Sequence, residues 1–326
     1  MSVDPIVVSW SEIDTGRQCK LKHHLSYNER WTKPVDDNSP LGKGVLWHTV
    51  VETRYNVIMA HQMPNGGWDV SADELEALAT KEVNALLDKF TRDGGDAGVA
   101  ALMGWMYRGY VDVYGLDPEH TIMGVETTHL APLGTIDLPD PSSSNGLGTA
   151  PVPVVLKFKI DRTVKDNRGH VRVIDEKSHG QLPTDHDYDF LDQFGLYVWG
   201  LKKLGINVRG AIHSASKTKQ NQGDIFKEGD EGWKSSMKST PLDARFKRTN
   251  IHYTEAQLAG IAADALQDVQ DLYSPANKHQ RQTDSDRCRW RCSYTEACLF
   301  GRRTGKPGDT VRMLALSGFT QERERH

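Results

Sequence analysis

Leu75, Leu78, Val83, Leu86 and Leu87 recur at the intervals of one helix face, which predicts an amphipathic helix over about 72–93, with another over about 98–115. Residues 41–62 also read as a helix, with Val45, Thr49 and Glu52 at helical spacings around His48. Ahead of these, Ser9 and Glu12 have the spacing of a capping box, so a short helix is expected to reach Cys19. TIMGVETTHLA is then expected as the first strand. The runs VVLKFKIDRTV and VRVIDEKSHG follow as two more, separated by the turn-like DNRG. A helix over about 185–204, a strand from Val208 to Ser214 and a helix from about Thr254 to Tyr273 complete the regular elements. Between strands, PDPSSSNGLGTAP is a Pro/Ser/Gly-rich loop. Residues 216–250 form a long polar segment.

Length changes this picture little: 326 residues can bury a large core, one domain with a helical extension. A net charge of −4 excludes a wholesale basic surface, so any nucleic-acid contact must use a local patch. The polar segment offers one, because Lys217, Lys219, Lys234, Lys238, Arg245, Lys247 and Arg248 interleave with Phe226, Trp233 and Phe246. Such a mixture can stack bases and pair phosphates of a single strand. Asp224, Glu228, Asp230, Glu231 and Asp243 dilute it, and a solvated loop fits equally well. Lys20, Lys22, His23 and His24 read as a solvated face. MSVDPIVVSW has no basic stretch followed by an apolar core, and no uncharged apolar run could span a bilayer, so an intracellular, cytoplasmic protein is expected. GKPGD lacks the phosphate-cradling G-x4-GK[ST] pattern, so no helicase motor is expected.

Candidate chemistry sits on the paired strands. Residues two apart on a strand share a face, so Asp175 and Lys177 point together while Glu176 turns away. If the two runs form a hairpin, Asp161 lies beside them and two carboxylates meet one ammonium. Hard oxygen donors of this kind hold Mg²⁺ or Mn²⁺ for phosphodiester hydrolysis. The competing reading is a polar hairpin end with a salt bridge. Glu126 reads as an ordinary strand-face glutamate or as an auxiliary acid. Gln193 and Tyr197 are four apart and share a helix face.

The four cysteines fall as Cys19 alone and Cys288, Cys292 and Cys298 together. In an intracellular chain clustered thiols read as metal ligands, and a one-plus-three pattern suits an iron–sulfur cluster better than two zinc knuckles. Zinc and unrelated thiols stay open.

Four motifs now run in one order: GKGVLWH with Gly44 and His48, FKID with Asp161, DEK with Asp175 and Lys177, and QFGLY with Gln193 and Tyr197. In this order, and bracketed by the cysteines, they make the chain resemble the RecB-type branch of the PD-(D/E)XK nucleases that carries an iron–sulfur cluster. Its kin there are the fourth CRISPR-associated protein family with its phage relatives, and AddB-type nuclease domains. One departure is that three residues separate Cys288 from Cys292, where relatives commonly have two.

The resemblance implies an α/β fold: a restriction-endonuclease-like core with a central mixed sheet flanked by helices, and a helical iron–sulfur region joining the two ends. It implies an N-terminal segment (1–40) giving one cluster cysteine, a nuclease core (41–253) and a C-terminal iron–sulfur segment (254–326). It implies that His48, Asp161, Asp175 and the backbone carbonyl of Glu176 hold Mg²⁺ or Mn²⁺. Lys177 would orient or polarise the attacking water, with Gln193 and Tyr197 positioning substrate and lysine. Cys19, Cys288, Cys292 and Cys298 would hold a 4Fe–4S cluster in a structural role. The expected activity is a DNA exonuclease acting on single strands or ends in recombination, repair or phage DNA processing. The alternative is a DNA-end-binding subunit of a CRISPR-adaptation or recombination complex, with cleavage secondary. A homo-oligomer or a partner protein from either setting fits both.

Overall fold

The computed structural model describes residues 4–64, 66–140, 148–184, 192–218, 245–274, 288, 292–305 and 307–321. In chain order the first elements are β1 (Ile6–Val8), α1 (Trp10–Gln18), α2 (Lys20–His23), a π-turn (His24–Asn28) and β2 (Trp31–Thr32). Three long helices follow, α3 (Pro40–Ala60), α4 (Ala72–Arg92) and α5 (Ala97–Tyr114). Then come β3 (His120–Pro139), β4 (Thr149–Asp166), β5 (Val171–His179), α6 (Asp192–Lys203), β6 (Val208–Lys217) and β7 (Phe246–Ile251). The chain continues through α7 (Glu255–Tyr273), α8 (Thr295–Thr304), α9 (Pro307–Leu316) and β8 (Thr320–Gln321). These form two compact units: Met1–Pro34 with Leu130–Lys157 and Gly260–His326, and Val35–His129 with Phe158–Ala259.

In the second unit the helices begin where side chains satisfy their first amides. Ser39 Oγ accepts from Gly42 N at 3.0 Å, Ser71 Oγ from Glu74 N at 3.2 Å and Asp96 Oδ1 from Val99 N at 2.9 Å. Their apolar stripes meet in one core that includes Trp47, Val50, Tyr55, Leu75, Val83, Leu102, Met103 and Tyr110. The expected hairpin is present. β4 and β5 are antiparallel with Arg162 opposite Ile174, and Asp166 Oδ1 accepts from Arg168 N and His170 N at the turn. β5 runs parallel to β6 with Asp175 opposite His213, and β6 is antiparallel to β7. The sheet is therefore mixed, as expected.

Three expectations change. Two short strands precede TIMGVETTHLA, which is not the first. The end of the polar segment is strand β7, and its expected phosphate-binding cations are partly internal: Arg245 is 2% exposed with its guanidinium 4.3 Å from the Trp105 ring centre. Arg248 Nη1 donates to Asp117 Oδ1 at 2.7 Å. Residues 219–244 of that segment, and 141–147 of the Pro/Ser/Gly loop, lie outside the described residues. His23, expected on a solvated face, is buried against Glu12 at 3.0 Å. Glu12 consequently points to His23 and Tyr273, while Ser9 alone caps α1 by its side chain.

Arg162 and Glu176 are each 1% exposed and paired at 2.6 Å. Arg162 also donates to Asp117 Oδ2 at 3.1 Å and stacks 3.5 Å over the Tyr55 ring, while Tyr110 OH donates to Glu176 Oε1 at 3.0 Å. Two guanidinium groups (Arg162, Arg248) and two carboxylates (Asp117, Glu176) thus form a balanced internal ladder. Burial alone would push the Asp117 carboxyl up, but bonds from His120 and the two arginines hold it well below the usual carboxylate range.

In the first unit, β1 lies parallel to the start of β4, with Ile6 opposite Val154. A β-carbon on Gly16 of α1 would meet Leu272 Cδ2 of α7 at 2.2 Å, so a larger residue there would require Leu272 to move. Trp31 pairs with Gln321 across β2 and β8, and Leu21, Leu25, Trp31, Tyr294, Leu314 and Phe319 share one apolar cluster. The Tyr294 hydroxyl donates to the Trp31 carbonyl and accepts from Ser26 Oγ at 3.0 Å. Among the described residues no helix is long and apolar enough to cross a membrane.

Removing one member of the internal ladder strands its partners. Arg162→Met should cost about 3–5 kcal/mol, read as a lowered urea midpoint. Adding Glu176→Gln should recover part of the loss. A single variant within ~1 kcal/mol of wild type would mean that water already solvates the ladder.

Candidate active site

α3 approaches β5 closely at Gly44, where a β-carbon would lie 3.1 Å from Ser178 Oγ. One helical turn on, His48 Nδ1 comes 3.3 Å from Asp161 Oδ2. The same oxygen accepts from Glu176 N at 2.7 Å, so the β5 backbone fixes this β4 carboxylate. Lys177 Nζ lies 3.0 and 2.8 Å from the two oxygens of Asp175, as side chains two apart on one strand face must allow. On α6, Gln193 Nε2 donates to Tyr197 OH at 2.8 Å, and the Tyr197 ring stacks on Phe158 at 5.5 Å. Gly200 permits that packing, because a β-carbon there would sit 2.7 Å from the Phe158 ring.

His48, Asp161, Asp175, Lys177, Gln193 and Tyr197 all belong to the second unit. Glu176 joins them only through its backbone, since its carboxylate belongs to the internal ladder with Arg162. Burial, and then Asp175, push the Asp161 carboxyl well above its ordinary range. Burial would lower Lys177, but Asp175 and Asp161 raise it further, so it stays an ammonium. Burial and Lys177 lower His48, leaving a neutral imidazole able to donate a lone pair. Burial, reinforced by Asp175, lifts the Tyr197 hydroxyl to about 12.

Two features were not assigned to the site by the sequence. Glu126 of β3, which reads there as an ordinary strand-face glutamate or as an auxiliary acid, brings a carboxylate oxygen close to Asp161. Donor atoms of His48, Glu126 and Asp161 all lie within 4.8 Å of one another. Glu126 has φ +51°, a left-handed conformation that costs a non-glycine residue about 1–3 kcal/mol. Its carboxylate is paired with Lys159, whose side chain is 60% exposed. An exposed pair of that kind is worth about 0–1 kcal/mol and does not offset the strain. Spacing gave no signal for Glu126, which lies 35 residues before Asp161. The second feature is a histidine pair, His179 Nε2 and His213 Nε2 at 3.2 Å, where burial lowers His213 to about 4. Neither histidine belongs to a spaced motif.

The donor set fits a hard dication. A neutral imidazole and carboxylates meet where Asp161 and Asp175 crowd each other, and a divalent ion would relieve that repulsion. The cysteines lie elsewhere, all four in the first unit. Cys19, Cys292 and Cys298 pack against the apolar cluster around Trp31 and Tyr294, and the Thr295 hydroxyl donates to the carbonyls of both Cys288 and Cys292. Thiolates are the donors that an iron–sulfur cluster takes.

A search of curated proteins finds no match. Among solved structures, the crystal structure of SSO0001 aligns over 78% of this chain and 84% of that one, at 15% identity and a TM-score of 0.24, a likeness too slight to argue from. The model of the PD-(D/E)XK nuclease superfamily matches residues 7–299. That span takes in the whole of the second unit, part of the first and every residue of the strand-borne site. By this match the chain belongs to the PD-(D/E)XK nuclease superfamily, a family of metal-dependent nucleases.

Proposed function

We propose that this chain is a divalent-metal-dependent DNA exonuclease acting on single-stranded DNA or DNA ends. The observation that carries the reading is the meeting of Asp161, Asp175 and Lys177 beside His48 in the second unit. The G-x3-H and Q-x3-Y motifs at Gly44, His48, Gln193 and Tyr197 support the exonuclease branch through the resemblance stated above.

His48, Asp161, Asp175 and the Glu176 carbonyl would hold Mg²⁺ or Mn²⁺. When bound, the ion would lower the pKa of a water and offset charge on the phosphoryl oxygens. Lys177, kept protonated by Asp175 and Asp161, acts as a fixed positive charge and hydrogen-bond donor beside the phosphate, and not as a general base. Gln193 holds Tyr197, whose hydroxyl stays protonated and can donate to a phosphate oxygen or to water. Cys19, Cys288, Cys292 and Cys298 would hold an iron–sulfur cluster of structural role, because hydrolysis transfers no electrons.

Asp161→Ala and Asp175→Ala should bring cleavage to background, and Lys177→Met should slow it by roughly 10²–10³. The assay uses end-labelled linear DNA, single- and double-stranded, with Mg²⁺ or Mn²⁺, against a closed circle. Chelation should stop digestion reversibly and the circle should survive. Full activity in Asp161→Ala would reject the site, while digestion of the circle would reject the requirement for ends.

Protein purified without oxygen should be brown and carry iron and sulfide in near-equal amounts. Cys19→Ser should bleach it and lower its melting temperature, since the ligand nearest the N-terminus would be lost. Colourless protein with stoichiometric zinc would reject the iron–sulfur cluster.

A further inference from the structure

Glu126 lies within a strand, yet its backbone is left-handed. Among the described residues three non-glycines have positive φ, and the other two, Arg30 and Asp117, lie outside helices and strands. The chain is tightly folded around it: a β-carbon on Gly124 would come 2.6 Å from Thr127 Oγ1. A left-handed residue inside a strand kinks it and re-aims the side chain. Here the carboxylate is 13% exposed and comes within 4.8 Å of the donor atoms of His48 and Asp161. The ion pair with Lys159 does not explain the strain, because Lys159 is mostly in solvent. Glu52 marks the same spot from α3, one turn beyond His48: burial raises its carboxyl, and Glu126 raises it further. Asp175, by contrast, has both oxygens next to Lys177. Strained backbone that brings a carboxylate to an imidazole and a second carboxylate is strain in the service of a ligand.

We propose that Glu126 is a direct ligand of the divalent ion in addition to His48, Asp161, Asp175 and the Glu176 carbonyl, its carboxylate oxygen lying within 4.8 Å of the donor atoms of His48 and Asp161. Lys159 holds the Glu126 carboxylate in the metal-free protein and releases it when the ion arrives. One imidazole with carboxylates suits Mn²⁺ better than Mg²⁺. The proposal rests on the reading of the chain as a metal-dependent nuclease and adds a ligand that the D-x-K motif does not contain.

The test measures Mn²⁺ binding by calorimetry and the melting of the metal-free protein, on wild type, Glu126→Gly, Glu126→Gln, His48→Ala and Asp161→Asn. Glycine accepts φ +51° without strain, so Glu126→Gly should melt no lower than wild type and yet bind Mn²⁺ at least roughly tenfold more weakly. Glu126→Gln keeps the size of the side chain and removes its charge, and should weaken binding similarly. Mn²⁺ affinity unchanged in both Glu126 variants but lost in His48→Ala and Asp161→Asn would overturn the ligand role and leave the nuclease reading standing. Affinity unchanged in all four would overturn the metal site itself. Weaker binding that appears only with a large fall in melting temperature in both Glu126 variants would make Glu126 a structural residue and reject the proposal.

Discussion

The antiparallel pairing of β4 with β5 is the constraint on which the rest depends. Alternation along the two strands separates neighbours in sequence: Asp161, Asp175 and Lys177 go to the site, while Arg162 and Glu176 meet at 2.6 Å within the internal ladder. A slip of one residue would exchange these two sets and put an unpaired arginine at the site. The ladder opposes such a slip, because Arg162 and Glu176 are bound to groups on α3 and α5 and to Asp117 as well as to each other. Burying those charges costs desolvation, so what the ladder supplies above all is registry.

The two charge clusters of the second unit differ in balance. Each guanidinium of the ladder has a carboxylate, and each carboxylate has hydrogen bonds besides. At the site Asp161 and Asp175 crowd each other, and Asp161 is lifted out of its ordinary range. The ladder's charges are matched within the protein, while the crowding of Asp161 by Asp175 is of the kind that the proposed cation would relieve.

The first unit solves a separate problem. Residues near the two ends of the chain are brought together by the Trp31–Tyr294 cluster and by β2 with β8. Closing so long a loop carries an entropic cost that apolar burial must offset, and thiol ligation would add to it. The Cys19 segment is already docked by Leu21, Leu25 and the Tyr294 hydroxyl, so the cysteines adjoin a packed cluster and not an open loop.

Much of this was legible in the sequence. Helical spacing of apolar residues located α4 and α5, Ser9 marked the start of α1, and strand period put Asp175 and Lys177 on one face with Glu176 off it. Such features are fixed by a few neighbouring residues, and the backbone repeats at 3.6 and 2 residues convert them directly into faces. Tertiary structure alone decided which charges are internal. Arg245, Arg248 and His23 looked solvated, and each is held by a partner that no local spacing singles out: Trp105, Asp117 and Glu12. It also decided that Glu126 joins His48 and Asp161, because that meeting depends on how β3, β4 and α3 are brought together and not on any local pattern. Local propensity chooses elements; the partner of a buried charge is chosen by whichever faces the fold brings together.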